Sequence, residues 1–405
     1  MRYELKWIRS SADFEAITET STCIVRLKNT DDLQQEFYLY SFKFNLVANQ
    51  LIDDTMSSRN NGKNDSWFFP IVFLYRHSLE LLLKSIAFKY IIDKNDKITF
   101  VKTTGHNLKR IFDVITSQAM ENSLDTSREE IRWLDDYLSD ISDVDSQSDM
   151  FRYPFSNKMA AFFTKQTHVN LRALKKNMNT AYSILYDILN NSIKSVYQGY
   201  APILLLSGGD YYEQSVIGWK SSSCDFYPYI KGYMEAADYL GKSISENDSL
   251  KDELFLPMCY LYRNGIELSL KRILFEDCKL SYDKAFGIIR RKKYSILKVW
   301  NSIKNEIDRN SNAPKDDTTM EDVEIYVNQL HKIDMSSDKF RYPVDKNLVI
   351  HFKKEAKYDI KNIRLCFDEL FTFLDCVDGM LANIRDIEAE IEQEMRSYAE
   401  DYNDY

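Results

Sequence analysis

The chain has 405 residues, of which 44% are hydrophobic and 28% are charged. This composition excludes the disordered and fibrous classes of protein, and the length predicts two domains, each large enough to bury its own core. The formal net charge of -9 does not exclude a nucleic-acid-binding protein, because a local basic patch can still contact phosphates.

Residues that favour turns are scarce. The chain has 11 glycines and 7 prolines, whereas sheets and sandwiches need many turn residues. The high aromatic content, 14%, mostly follows helical spacing and favours core packing over a base-stacking platform. The sequence therefore predicts an all-α fold with at most short peripheral strands, near 23–27 and 203–206.

The first half predicts five helical segments in chain order. The first helix covers about 36–55, and the second is opened by Pro70, because proline is tolerated at a helix start. A third and a fourth helix follow. An irregular loop then carries Arg152-Tyr153-Pro154, and a long helix closes the half.

The second half repeats this order. Arg263 and Glu267 follow Pro257 as Arg76 and Glu80 follow Pro70, at an offset of 187 residues from Arg76 to Arg263. The second Arg-Tyr-Pro lies 189 residues after the first, from Arg152 to Arg341. Two motifs in the same order at nearly one offset indicate a duplication. We therefore expect two similar helical bundles, at 1–198 and 224–405, with a glycine-rich junction at 199–223.

The second bundle ends in an acidic helix and tail. Residues 381–405 contain eight acids and two bases, a net charge of -6. This segment is either solvated or binds a protein partner, and a basic partner would suit it.

Several classes of site and location are disfavoured by what the sequence lacks. The six cysteines show no C-x-x-C pair or zinc spacing, and no glycine-rich phosphate loop occurs. The longest apolar run, 67–75, contains a proline and is too short to span a bilayer. The first ten residues lack the apolar stretch of a signal peptide. We expect a cytoplasmic protein with no metal, no cofactor and no membrane partner.

The paired Arg/Glu motifs allow two interpretations. An isolated arginine four residues before a glutamate stabilises a helix only weakly, so the pair indicates a wider role. In the structural interpretation, Arg152 binds Glu80 and Arg341 binds Glu267 as internal, bidentate ion pairs.

In the functional interpretation these polar side chains line a cleft, where cations hold a phosphate and a histidine moves a proton. Only the first half supplies imidazoles, because Asn264 and Tyr294 stand where His77 and His106 would be repeated. The candidate catalytic residues are Arg76, His77 and Glu80. The candidate binding residues are Lys84, His106, Arg152, Tyr153, Arg263, Asn264, Glu267, Lys271, Arg341 and Tyr342.

The two units resemble the HEPN family of helical domains. The resemblance rests on Arg76-His77-x-x-Glu80-Leu81 and Arg263-Asn264-x-x-Glu267-Leu268 on a core helix, together with the Arg-Tyr-Pro element. Members of that family are often metal-independent ribonucleases of prokaryotic defence that pair two bundles around one active site. Two fused copies resemble such a dimer.

The usual catalytic signature of that family is an arginine followed four to six residues later by a histidine. Here leucines at 81–83 follow Arg76-His77, and Leu268, Ser269 and Leu270 follow Arg263-Asn264. The resemblance implies a protein of defence or stress response that binds RNA, a nucleotide or a protein partner, with ribonuclease activity and homodimer formation left open. The alternative is a non-catalytic structural or adaptor protein whose paired Arg/Glu motifs are internal ion pairs.

Overall fold

The computed structural model describes residues 6–18, 21–119, 124–156, 158, 160–192, 198–219, 225–278, 280, 282–292 and 295–403. The fold is all-α, as predicted, with minor strands. In the first half the helices are α1 (Leu33–Ser58), α2 (Asn61–Tyr90), α3 (Lys94–Thr104), α4 (Leu108–Val114), α5 (Glu129–Val144) and α6 (Leu171–Leu189). In the second half they are α7 (Tyr227–Glu246), α8 (Lys251–Arg272), α9 (Tyr282–Lys292), α10 (Ile296–Asn310), α11 (Thr319–Ile333) and α12 (Ile360–Asn403).

Between the proline-containing helix and the Arg-Tyr-Pro loop, the described residues of each half form three helices, one more than predicted. In the first half, α3 ends at Gly105, which has φ 58°, and Asn107 caps the start of α4 by accepting from the backbone N–H of Arg110. Glycine adopts this positive φ without steric cost, and asparagine is a preferred N-cap. A short glycine-containing turn thus separates two helices.

The predicted helix starts at Pro70 and Pro257 are wrong. α2 begins at Asn61 and α8 at Lys251, so both prolines lie inside helices. Proline cannot donate to the backbone four residues earlier, which for Pro70 is the carbonyl of Ser66. A Cβ placed on Gly232 of α7 would lie 1.9 Å from that carbonyl oxygen and 3.2 Å from Pro70 Cδ. Pro70 therefore lies beside a close approach of α7 to α2.

Four short strands form two antiparallel pairs. They are β1 (Ile24–Leu27), β2 (Thr167–Asn170), β3 (Gln214–Ile217) and β4 (Ala356–Asp359). β1 pairs with β4, with Ile24 opposite Asp359, and β2 pairs with β3, with Thr167 opposite Ile217. The strand predicted near 23–27 is confirmed. The strand predicted at 203–206 is wrong, because that segment forms a turn and irregular backbone.

The two Arg-Tyr-Pro loops have the same backbone geometry. Ser148 and Ser337 both have positive φ, 63° and 61°. The amides of Arg152 and Arg341 each donate to the carbonyl of the aspartate three residues earlier, both at 3.0 Å. Isolated bridges, Phe155 to Ala161 and Val344 to Ile350, follow at the same offset.

The described chain divides into two compact units, whose bounds differ from those of the predicted bundles. The larger unit comprises Thr18–Gly265 and Ser337–Ile360; the smaller comprises Met1–Ile17, Ile266–Ser336 and Lys361–Tyr405. Both strand pairs lie in the larger unit. β1 and β4 come from the two predicted bundles, whereas β2 pairs with β3 from the predicted junction. The β1–β4 pair thus connects segments that the prediction places in separate bundles, and the predicted bounds stay a prediction.

Helix α2 is the centre of the larger unit. It packs against α1, α6 and α7, and every side chain from Ser66 to Phe88 is buried. A helix that is buried around its whole circumference lies inside a core rather than on its surface. The polar residues of α2 are therefore held inside the unit. None of the helices among the described residues combines the length and the apolar character needed to cross a bilayer.

Gly232 provides a test of the close approach between α2 and α7. We expect Gly232→Ala to lower the free energy of unfolding by about 1–3 kcal/mol, because the new methyl group would overlap the Ser66 carbonyl. Urea unfolding followed by circular dichroism measures this change. Gly379→Ala on α12 is the matched control: no atom lies within 4 Å of its added Cβ, so we expect a gain of about 0.5–1 kcal/mol from helix propensity. Equal effects at the two positions would contradict the packing.

Candidate functional site

The polar residues of α2 form a buried cluster in the larger unit. Arg76, His77 and Glu80 are 0% exposed, and Lys84 is 3% exposed. Arg76, Glu80 and Lys84 lie four residues apart, so they share one face of the helix. Because buried charges are costly without partners, the partners of these groups decide what the cluster can do.

Arg76 joins three segments of the chain. Its Nη1 lies 3.3 Å from Glu80 Oε2, and its Nη2 donates to the backbone carbonyls of His106 (2.7 Å) and Asp145 (2.9 Å). Its Nε also lies 3.3 Å from the Asp145 carboxylate. The guanidinium thus ties α2 to the turn between α3 and α4 and to the end of α5.

Asp145 is a functional partner of Arg76 that is absent from the predicted site residues, although it stands in a motif repeated at Asp334. Its Oδ1 accepts from the backbone N–H of Asp149, at the start of the Arg-Tyr-Pro loop. The repeat of Asp145-x-x-Ser148-Asp149 at the same spacing was the signal that could have identified it. Asp145 therefore links the arginine of α2 to the loop.

The Glu80 carboxylate accepts from four side chains. Oε1 accepts from Lys84 Nζ (2.6 Å), Tyr342 Oη (2.8 Å) and His106 Nδ1 (3.0 Å), while Oε2 faces Arg76. Desolvation raises the pKa of Glu80, but Lys84 and His106 outweigh it and hold the pKa well below its ordinary value. Glu80 is therefore a buried, ionised carboxylate.

The predicted pairing of Arg152 with Glu80 is wrong. The position beside Glu80 is taken by Tyr342, the tyrosine of the second Arg-Tyr-Pro. Arg152 Nη2 donates instead to Tyr153 Oη at 2.8 Å, and its Nη1 lies 3.9 Å from Asp149 Oδ1. A tyrosine hydroxyl satisfies the carboxylate without adding a second buried guanidinium beside Arg76. Arg152 is buried beside Tyr153 instead, where it is 3% exposed.

His77 is enclosed by aromatic rings. Its Nε2 lies 3.0 Å from the carbonyl oxygen of Arg341, and its ring stacks on Phe73 and meets Phe44 edge-on. Because the carbonyl can only accept, Nε2 carries the hydrogen. Burial lowers the pKa of His77 well below 6.5, and the neighbouring cations Arg341 and Lys84 lower it further against the opposing effect of Glu80. His77 is thus a neutral, buried donor.

His106 is the member of the cluster that reaches solvent. Its side chain is 41% exposed. Its Nδ1 donates to Glu80 and lies 3.3 Å from Tyr342 Oη. A carboxylate bonded to one imidazole nitrogen fixes the ring and leaves the other nitrogen, here Nε2, for proton transfer.

The residues of the second half are distributed over the two units. Arg263 and Asn264 lie in the larger unit and are fully buried. In the smaller unit, Lys271 Nζ donates to Glu267 Oε1 at 2.6 Å, the same spacing and distance as Lys84 and Glu80. In the larger unit, Arg341 Nε donates to the carbonyl of Ser337 at 2.6 Å. The pairing of Arg341 with Glu267 stays a prediction, and Tyr294 lies outside the described residues.

The structure thus brings Arg76, Glu80, Lys84, His106 and Tyr342 together, and it places Arg152 and Tyr153 against each other. Within the described ranges, no group of three or more His, Cys, Asp or Glu side chains is suited to hold a metal ion. The five cysteines in those ranges form no disulfide, and Cys224 lies outside them.

Arg76→Leu tests the role of the guanidinium. We expect this change to lower the free energy of unfolding by about 3–5 kcal/mol, because it leaves the Glu80 and Asp145 carboxylates buried without that cation. Chemical denaturation measures the change. Arg110→Leu, at an exposed arginine of α4, is the control and should change the stability by no more than about 0.5 kcal/mol. A loss below about 1 kcal/mol for Arg76→Leu would show that the cluster is not structural.

His77 gives the protein a pH-dependent stability with a defined sign. Because the folded pKa is lowered below 6.5, the unfolded state gains a proton below that pH and the folded state does not. The contribution of neutral His77 to the free energy of unfolding is therefore complete above pH 6.5. It decreases by about 1.4 kcal/mol per pH unit as the pH falls towards the pKa of the folded state.

His77→Gln removes the titrating group and keeps an amide able to donate to the Arg341 carbonyl. We expect the free energy of unfolding of the wild-type protein, relative to this variant, to decrease from pH 7 to about pH 5.5. At about pH 5.5 the decrease should approach its full value of about 1.4 kcal/mol per pH unit. Urea unfolding at a series of pH values measures it. A difference that is independent of pH would contradict the neutral, buried imidazole.

Comparison with known proteins does not assign the chain to a family. The chain matches no protein-family model, and neither a curated protein nor a solved structure is significantly similar to it. The HEPN resemblance therefore stays a prediction based on the residues quoted for it.

Proposed function

We propose that this chain is a HEPN-like protein of prokaryotic defence or stress response that acts by binding a protein partner and performs no chemistry at Arg76, His77 and Glu80. The observation that carries the proposal is the complete burial of these three side chains. The guanidinium is used to join α2 to the α3–α4 turn and to the end of α5. A catalytic group must reach its substrate, and these groups reach only the protein itself.

The charge of the chain favours a protein partner over RNA or a nucleotide. The net charge is -9, and the acids of residues 386–394 on α12 are exposed. Phosphate recognition depends on exposed lysine and arginine side chains. In the buried cluster, Lys84 is instead committed to Glu80 at 2.6 Å.

A second candidate function is an RNA-cleaving enzyme that uses His106. One specific observation favours it: His106 is the partly exposed imidazole of the cluster, and the buried Glu80 carboxylate orients it. This pairing resembles the arrangement in which a carboxylate holds a histidine ready for general acid–base catalysis. Tyr342 and Lys84 support the same carboxylate.

Incubation of the purified protein with tRNA and total RNA separates the two functions. We expect the RNA to stay intact, and fluorescence anisotropy of labelled RNA to stay unchanged, because the cluster offers no free cation. His106→Gln and the exposed control Arg110→Leu are assayed in parallel. If the wild-type protein cleaves RNA with a rate that depends on pH, and His106→Gln alone abolishes the cleavage, the second candidate replaces the first.

A further inference from the structure

The C-terminal part of α12 has no α-helical counterpart among the described residues that follow α6 in the first half. α6 ends at Leu189, which corresponds to Asp378 at the offset of 189 residues, whereas α12 continues to Asn403. We call residues 379–403 the extension. At about 1.5 Å per residue, its 25 residues make a helical rod roughly 37 Å long. Leu381, near the start of the extension, is buried, but every residue from 386 to 398 is exposed, so packing against the core does not explain why the helix continues over that stretch.

The extension carries an apolar stripe that is open to solvent. The stripe consists of Ile387, Ile391, Met395 and Tyr398, which are 48%, 51%, 67% and 66% exposed. At about 100° per residue, these four side chains fall within an arc of roughly 80°. Aligned exposed apolar residues of this kind mark an interaction surface more often than isolated ones do.

Acidic residues border the apolar stripe on both sides. By the same helical spacing, Glu388 and Glu392 lie on one side of it, and Glu390 and Glu394 lie on the other. All four residues are exposed. Arg396 lies on the far face and pairs with Glu392 at 3.6 Å. The surface is therefore an apolar strip between two rows of negative charge.

We infer that the extension binds a basic amphipathic helix of a partner protein, with the apolar stripe packed against the apolar seam of that helix. The inference rests on the proposed function, since it names the partner class of a protein that acts by binding. Helix pairs of this type bury apolar seams, while charged residues beside the seam select the partner. Two acidic rows select a helix whose seam is bordered by lysine or arginine.

A second copy of this chain is a poorer occupant. Its extension would bring the same acids to the same rims, and like charges placed opposite each other oppose association. Nucleic acid is disfavoured by the same charge, because its phosphates would face glutamates. An apolar stripe alone could pack against many partners. The net charge of -6 between residues 381 and 405 favours a basic helix over a second copy of this chain or a nucleic acid.

Synthetic helical peptides test the inference with the full-length protein. The probe is a peptide of about four heptads with leucine at the seam and lysine or arginine beside it, and its control has the same seam bordered by glutamate. Titration calorimetry should give an affinity for the basic peptide at least about tenfold higher than for the acidic one. The double variant Ile391→Ser, Met395→Ser should weaken binding of the basic peptide by at least about tenfold.

The matched control is Ala389→Ser with Gln393→Ser, on the face opposite the stripe, and it should bind as the wild-type protein does. All four positions are exposed, so the variants keep the fold, which circular dichroism checks. Equal affinity for the two peptides, or equal loss in both double variants, would overturn the inference. So would concentration-dependent dimers in sedimentation that the stripe variant abolishes, because the occupant would then be a second copy.

The RNA assay tests the proposed function, and the peptide assay tests the docking site, so each proposal can be contradicted independently of the other. Cleavage of RNA dependent on His106 would remove the proposed function whatever the peptides do. Intact RNA together with no binding of the basic peptide would leave that function standing and remove the docking site.

Discussion

A carboxylate buried inside a helical core is stable only where several donors surround it, and Glu80 meets this requirement with donors from separate parts of the chain. Lys84 and Arg76 come from its own helix, His106 comes from the turn after α3, and Tyr342 comes from a loop 262 residues away. Because a single charge must satisfy all these donors at once, it fixes the positions of the segments that carry them. Arg76 extends the same constraint to the end of α5 through Asp145.

The short strands add a second constraint within the larger unit. β1 pairs with β4 from the second half, and β2 pairs with β3 from the segment predicted as the junction. Strands of four residues are too short to form stable sheets by themselves, and they persist here because they are attached to packed helices. The Tyr342 contact with Glu80 crosses between the halves in the same way. The first half therefore obtains part of its structure from the second.

Local patterns predict that the fold is all-α and where its first helix lies, but they miss one helix in each half and fail where distant segments meet. The apolar spacing places the first helix at about 36–55, within a few residues of the observed bounds of α1. The predicted helix start at Pro70 is wrong because the sequence around Pro70 does not reveal that Gly232 packs against Ser66, one helical turn earlier. The Arg152 prediction failed for a related reason: the two Arg-Tyr-Pro elements are identical in sequence, and only the fold decides which of them faces Glu80. His77 and His106 are both single histidines, and only the packing makes one buried and the other exposed.

Comparison of the two halves separates the residues that build the fold from those that can serve a function. Arg, Glu, Lys and Arg-Tyr-Pro occur in both halves, and in the first half they are used within the protein. Two features occur in one half only. His106 reaches solvent in the first half, and the extension of α12 carries the apolar stripe in the second half. Both features have exposed side chains, so both can contact molecules outside the chain, although His106 also helps to hold the Glu80 carboxylate. The parts that differ between the two copies are therefore the parts most able to recognise something outside the chain.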